Sequence, residues 1–96
     1  MKLGATLPQN EIGNDPGAIR EFAQAVEALG FDEMLLPEHV LGGNPSTYPQ
    51  LGIYYHLPWH EPFVVLSYVA GLTTKLEFCT AVLVAPQRQT ALLAKQ

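Results

Sequence analysis

A single cysteine, Cys79, leaves no intrachain disulfide framework to staple the chain or to signal an oxidising compartment. Basic residues are scarce: five lysines and arginines, scattered singly, stand against nine acidic residues for a net charge of −4. The electropositive footprint that nucleic acid or an anionic lipid surface requires is therefore missing. Long apolar runs are missing too. Phe63 to Val65 and Ala81 to Ala85 fall far short of the ~20 residues that span a bilayer. The opening Met1-Lys2-Leu3-Gly4 has neither the hydrophobic stretch nor the cleavage site of a secretory signal. Charged residues fill only 15% of the 96 positions, against about 25% in an average soluble domain, while 48% are apolar. Such a chain is too hydrophobic for intrinsic disorder. The expectation is a soluble, cytoplasmic globular chain with no nucleic-acid or membrane partner. So little charge on so small a domain further implies that part of its surface is covered by something else.

What is present alternates. Residues 3–7 form a short apolar run stopped by Pro8 and read as a first strand, and residues 9–14 read as a polar loop. Asp15-Pro16 is a helix start, since Asp accepts from free backbone N–H groups and Pro fits the first helical position. Ile19, Phe22, Ala23, Val26 and Leu29 then make one apolar stripe over residues 16–29, and Gly30 stops the helix. Residues 31–37 read as a second strand. Residues 41–61 are an irregular loop punctuated by Gly42-Gly43, Pro45, Pro49, Gly52 and Pro58. Pro62 opens a second helix over residues 62–74, residues 76–84 form an apolar third strand of the kind buried on both faces, and residues 88–96 a third helix. The order strand–helix, three times over, implies parallel strands joined by right-handed crossovers. An eight-stranded α/β barrel takes about 250 residues, so the chain reads as the front third of something larger.

Several signatures are absent: no G-x-G-x-x-G after the first strand, no P-loop, no G-x-S-x-G around Ser46 or Ser67. The informative motif is Pro37-Glu38-His39 at the carboxyl end of the second strand, where parallel α/β proteins gather their chemistry. Histidine exchanges protons near neutral pH, and a neighbouring carboxylate can orient a ligand or bias protonation. An exposed polar pair in a loop is the plain alternative. His56 and His60 are four apart, but Pro58 between them disfavours a metal-binding helix, so no metal is expected. The long loop carries Tyr48, Tyr54, Tyr55 and Trp59, aromatics suited either to lining a pocket or to fixing the loop on the rim. Arg88 reads as a phosphate ligand, a helix cap or, most simply, a solvated charge. Cys79 reads as a small buried hydrophobe.

Taken together, Asp15-Pro16-Gly17-Ala18-Ile19, Phe22-Ala23-Gln24-Ala25, Glu27-Ala28-Leu29-Gly30-Phe31-Asp32 and Pro37-Glu38-His39-Val40 resemble the luciferase-like monooxygenase superfamily. So do Glu61-Pro62-Phe63, Leu72 to Leu76, and Thr80-Ala81-Val82-Leu83-Val84-Ala85-Pro86-Gln87-Arg88-Gln89. The wording is most similar to the deazaflavin (coenzyme F420)-dependent subgroup. The resemblance implies an α/β fold, the N-terminal (βα)3 portion of a TIM (βα)8 barrel, with FMN or coenzyme F420 at its C-terminal mouth. It implies that His39 lies by the redox ring as proton donor or acceptor and that Glu38 helps shape the ring pocket. A bulge with a non-proline cis peptide would fall at Ala81–Val82, behind the ring. The proline-rich loop, with Tyr55 and Trp59, would cover the substrate side. Cofactor phosphates are gripped in such relatives by later loops. The implied reaction is hydride transfer between the ring and a small organic substrate, or oxygen insertion with FMN. A second reading is a non-catalytic association module, completed by self-association as a homo-oligomer or by the remaining barrel segments.

Overall fold

A computed structural model describes residues 1–52 and 57–96. Three short strands, β1 (Gly4–Thr6), β2 (Glu33–Leu36) and β3 (Glu77–Thr80), form one sheet in the order β1-β2-β3. Both pairings are parallel, with Ala5, Met34 and Phe78 in one row across the sheet. Among the described residues four α-helices accompany it: α1 (Gln9–Ile12), α2 (Pro16–Ala28), α3 (Pro62–Ala70) and α4 (Thr90–Lys95).

The one-turn helix α1 replaces the polar loop expected over residues 9–14. Pro8 presets the backbone and its carbonyl accepts from both Glu11 and Ile12, while Ile12 packs against the core. Gly13 ends it with φ 69°. Helix α2 starts as its cap dictates, with the Asp15 carboxylate accepting from the Gly17 N–H at 2.9 Å and Pro16 following. Its end is a Schellman motif. Gly30, at φ 84°, donates to Glu27 O and Phe31 donates to Val26 O, which turns the chain directly into β2.

Helix α3 ends at Ala70, short of the expected residue 74. The helix closes in a tight turn at Gly71, with the Leu72 N–H donating to Val69 O at 2.9 Å, and the amides that follow go to another group: the Glu27 carboxylate of α2 accepts from Thr74 (2.7 Å), Lys75 (2.6 Å) and Leu76 (3.2 Å). These bonds, led by that of Lys75 and then Thr74, hold the Glu27 pKa below its ordinary value of 4.5. A depressed folded pKa means that this stabilisation is complete above 4.5 and is lost as pH falls through the folded value. Glu27→Gln is therefore expected to lower the thermal midpoint at neutral pH. It is also expected to remove part of the acid sensitivity below pH 4.5, measured as midpoint against pH beside the parent.

The core lies on one face of the sheet. Met34 and Leu36 point from the middle strand into Ile19, Ala23 and Val26 of α2 and Val65, Leu66 and Val69 of α3, with Leu7 and Leu76 closing the ends. The opposite face carries Gly4, Thr6, Glu33, Leu35, Glu77 and Cys79, and no helix covers it among the described residues. Gly4 leaves room there for Leu35 and Glu33, whose side chains a Cβ at this position would push aside.

The third strand differs from expectation in two ways. It runs four residues, not nine, because its partner β2 ends at Leu36 and the last ladder bond is Ala81 N–H to Leu36 O at 3.0 Å. It is also an edge strand, so Glu77 is exposed and Phe78, Cys79 and Thr80 are only half-buried. Cys79 is thus not the fully buried hydrophobe expected. Helix α4 starts at Thr90, two residues late. A 3-10 turn at Ala85–Gln87 precedes it, and the Gln89 side chain caps it at the Leu92 N–H. Among the described residues no helix is long and apolar enough to cross a membrane.

Candidate functional site

Parallel strands deliver all their carboxyl ends to one edge of the sheet. Here the segments after β1 (Leu7 onward), β2 (Pro37 onward) and β3 (Ala81 onward) converge there, joined by residues 57–61 on their way into α3. A cleft of about 320 Å³ opens among Glu38, His39, Val40, His60, Glu61, Gln87 and Arg88.

Two consecutive residues after β2 line this cleft at different depths. Glu38 is buried, its side chain only 3% exposed, and His39 is half-buried, its ring meeting Trp59 edge-on at a centroid distance of 4.6 Å and 70°. Such T-shaped pairing sets the positive edge of one ring on the negative face of the other and fixes both planes.

The Glu38 carboxylate is satisfied by the protein itself. One oxygen accepts the Val84 N–H at 2.7 Å, and the other accepts from Nη2 of Arg88. The same Arg88 nitrogen donates to Glu61 Oε1 at 2.7 Å, and the guanidinium lies over the Phe63 ring at 5.1 Å. Glu61 uses its other oxygen to cap α3 at the Val64 N–H. One cation thus ties the end of β2 to the start of α3, and Glu38 ties both to the segment after β3. The hydrogen bond from Glu38, and then that from Glu61, raises the pKa of Arg88 above its ordinary value, so the guanidinium is a permanent charge. The solvated arginine expected from the sequence is instead a half-buried cross-link, its side chain 15% exposed.

A second cross-link was invisible in the sequence. Gln9, buried at the start of α1, donates to Pro37 O at 2.8 Å and accepts the His60 N–H at 2.9 Å. It thereby sews the loops after β1 and β2 to the approach to α3. The His60 ring meets the Gly13 carbonyl through Nε2 at 3.2 Å; a carbonyl only accepts, so Nε2 carries the proton. His60 therefore has a structural partner, and among the described residues no group of three or more metal-binding side chains occurs. Tyr54, Tyr55 and His56 lie outside the described residues, so the substrate-side expectation for Tyr55 has no structural counterpart here. Tyr48, in the same loop, is exposed.

At the end of β3 the Ala81–Val82 peptide bond is cis, at the place the resemblance implied. Ala81 is half-buried and Val82 is 70% exposed, an apolar side chain offered outward beside the strand ends. A model of the luciferase-like monooxygenase family matches residues 1–96. The chain belongs to the luciferase-like monooxygenase family. No curated protein and no solved structure matches it. Luciferase-like monooxygenases are oxidoreductases built on the TIM barrel, and their members use flavins or deazaflavin. A three-stranded parallel sheet with helices on one face is consistent with part of such a barrel.

The residues at the mouth fit one half of such a cofactor. For a flat, largely apolar ring the cleft offers the His39 ring, backed edge-on by Trp59, while Ala81 and Val82 are not among its lining residues. A phosphate tail finds less: the one permanent cation among the described residues lining the cleft is Arg88, and it already serves two carboxylates.

Proposed function

We propose that this chain is the N-terminal (βα)3 part of a luciferase-like TIM barrel, a cytoplasmic oxidoreductase of the deazaflavin-dependent subgroup, with FMN as the alternative cofactor. The observation that carries the reading is the placement of His39: at the carboxyl end of the middle strand, in the cleft, with its ring plane fixed by Trp59. A flavin or deazaflavin ring, when bound, supplies hydride transfer to or from a small organic substrate. The chain's own residues do the rest. His39 gives or takes the proton that balances the hydride, because an imidazole exchanges protons near neutral pH. Ala81 and Val82 supply an apolar wall at the end of β3. Glu38 acts from beneath, holding the segment through Val84 rather than offering a free carboxylate to the ring. Trp59 closes the substrate side, and Tyr55 is assigned there with it.

The test is titration of the full-length protein with FMN and, separately, with deazaflavin, followed by absorbance and by quenching of Trp59. Saturable binding of one of the two with concurrent quenching is expected. Binding of neither overturns the assignment.

The alternative reading as an association module draws on a different observation. β1 and β3 are both unpaired on their outer edges among the described residues, and the Gly4–Thr6–Leu35 face is open. Open edges and an uncovered face invite completion by further barrel segments or by a second copy. That completion is compatible with catalysis and would add a phosphate grip to the single cation, Arg88, that the described residues bring to the cleft.

A further inference from the structure

Three separate chain segments meet at one nitrogen of Arg88, and none of them lies near another in sequence. Glu38 follows β2, Glu61 caps α3, and Arg88 itself precedes α4. We propose that Arg88 is a positioning residue, which holds the Glu38 and Glu61 carboxylates on one guanidinium nitrogen and thereby sets the orientation of the His39–Trp59 pair in the mouth. The inference rests on the functional reading above for what His39 does, but not for where it sits.

The geometry leads there in steps. Glu38 and His39 are consecutive, so the rotation that buries one side chain aims the other. Glu38 stays buried only because its charge is matched; an unpaired carboxylate at that depth would turn out to water. Trp59 is two residues from Glu61, so the second carboxylate on Arg88 fixes the segment bearing His39's ring partner. Val84 is the third tether, since its N–H is held by the Glu38 oxygen that Arg88 leaves available. Releasing the guanidinium frees all three segments together. The Phe63 ring beneath the guanidinium and its low exposure keep it from exchanging these partners for water.

Because both carboxylates use the same nitrogen, a lysine ammonium is able to replace part of the function, although a guanidinium fork normally is not exchangeable. Arg88→Met and Arg88→Lys in the full-length protein test this directly. Two readouts need no cofactor: hydrogen exchange at the Val84 amide and acrylamide quenching of Trp59. With Met, protection at Val84 is expected to be lost and Trp59 to become more accessible, and with Lys both are expected to return towards the parent. In the loaded enzyme, kcat is expected to fall on the order of 100-fold with Met while KM changes far less, the signature of a misaligned group rather than lost binding.

If Arg88→Met fails to fold, Arg88→Met with Glu38→Gln removes the uncompensated charge and retains the fold, and Trp59 quenching then carries the test. Unchanged Val84 exchange and Trp59 accessibility in the folded Met variant, or in the double variant unchanged accessibility, overturn the proposal. A protein that binds neither cofactor but still loosens Val84 and Trp59 on Arg88→Met leaves the clamp standing and removes the oxidoreductase reading.

Discussion

Replacing His39 by alanine is expected to lower turnover of the full-length enzyme by about 100- to 10,000-fold, the range that a positioned acid–base group supplies. The size follows from what is lost. Hydride transfer to or from a carbon centre leaves a proton to be placed, and His39 lines the cleft with its ring set edge-on to Trp59. Water replacing the imidazole takes over slowly, because it is neither oriented nor matched in pKa to the working pH. The variant should still fold, with a modest loss of midpoint, because His39 lies at the rim, half-buried, and its removal costs the edge contact with Trp59 rather than core packing. A kcat fall far larger than the change in melting midpoint or in cofactor affinity is the expected pattern. Parent-like kcat in His39→Ala removes the residue from the reaction.

The largest effect on stability is expected from Met34→Ala. Met34 is fully buried in the middle strand, paired with Ala5 on one side and Phe78 on the other, and faces both covering helices. Truncating a buried methionine costs about 2–5 kcal/mol, through lost transfer energy and the cavity left behind. Against a net stability of about 5–15 kcal/mol for a whole domain that is a large fraction. Urea denaturation should show a lower midpoint with an unchanged slope, because the surface exposed on unfolding stays the same. Leu92→Ala, at an exposed position of α4, is the matched control and is expected to change stability by no more than about 0.5 kcal/mol. A midpoint for Met34→Ala equal to that of the control would mean that β2 is not the centre of the core. The same strand carries Glu38 and His39 on its carboxyl end, so turnover should lose thermal tolerance in step with the fold.

Much of the frame was written locally. Asp15-Pro16 names its own helix start, and Gly30 ends the helix because the motif there needs a positive φ. The strand positions followed from short apolar runs separated by crossover-length segments. Lengths were less legible. Nothing local says that β3 stops at Thr80; that limit comes from the last carbonyl its neighbour offers, Leu36 O. Likewise the segment after α3 leaves the helix for Glu27, forty-seven residues before Thr74, which accepts from three of its amides. The turn at Gln9–Ile12 escaped notice because its periodicity is too short to register, and its stabilising contacts are with Pro8 and the core.

The place of His39 at the carboxyl end of the middle strand was legible from residue type and position together, whereas the contacts of Arg88 and Gln9 were not. A signal for Arg88 did exist. A carboxylate buried directly after a strand requires a cation, and the chain has only five to offer. The signal says that a partner is needed without saying which, since Arg88 is fifty residues from Glu38. Gln9 gave none, for a glutamine amide earns burial only where two loops happen to bring it a carbonyl and an N–H.

The amino-acid order by itself determined the alternation of strands and helices, their caps, and the chemical character of the Glu38-His39 pair, because each of these depends on neighbours within a turn or two. The tertiary structure alone decided which carboxylate is spent on the protein, which ring fixes His39, and where each strand ends. Those outcomes depend on donors and acceptors brought together across distances in sequence that no local pattern encodes.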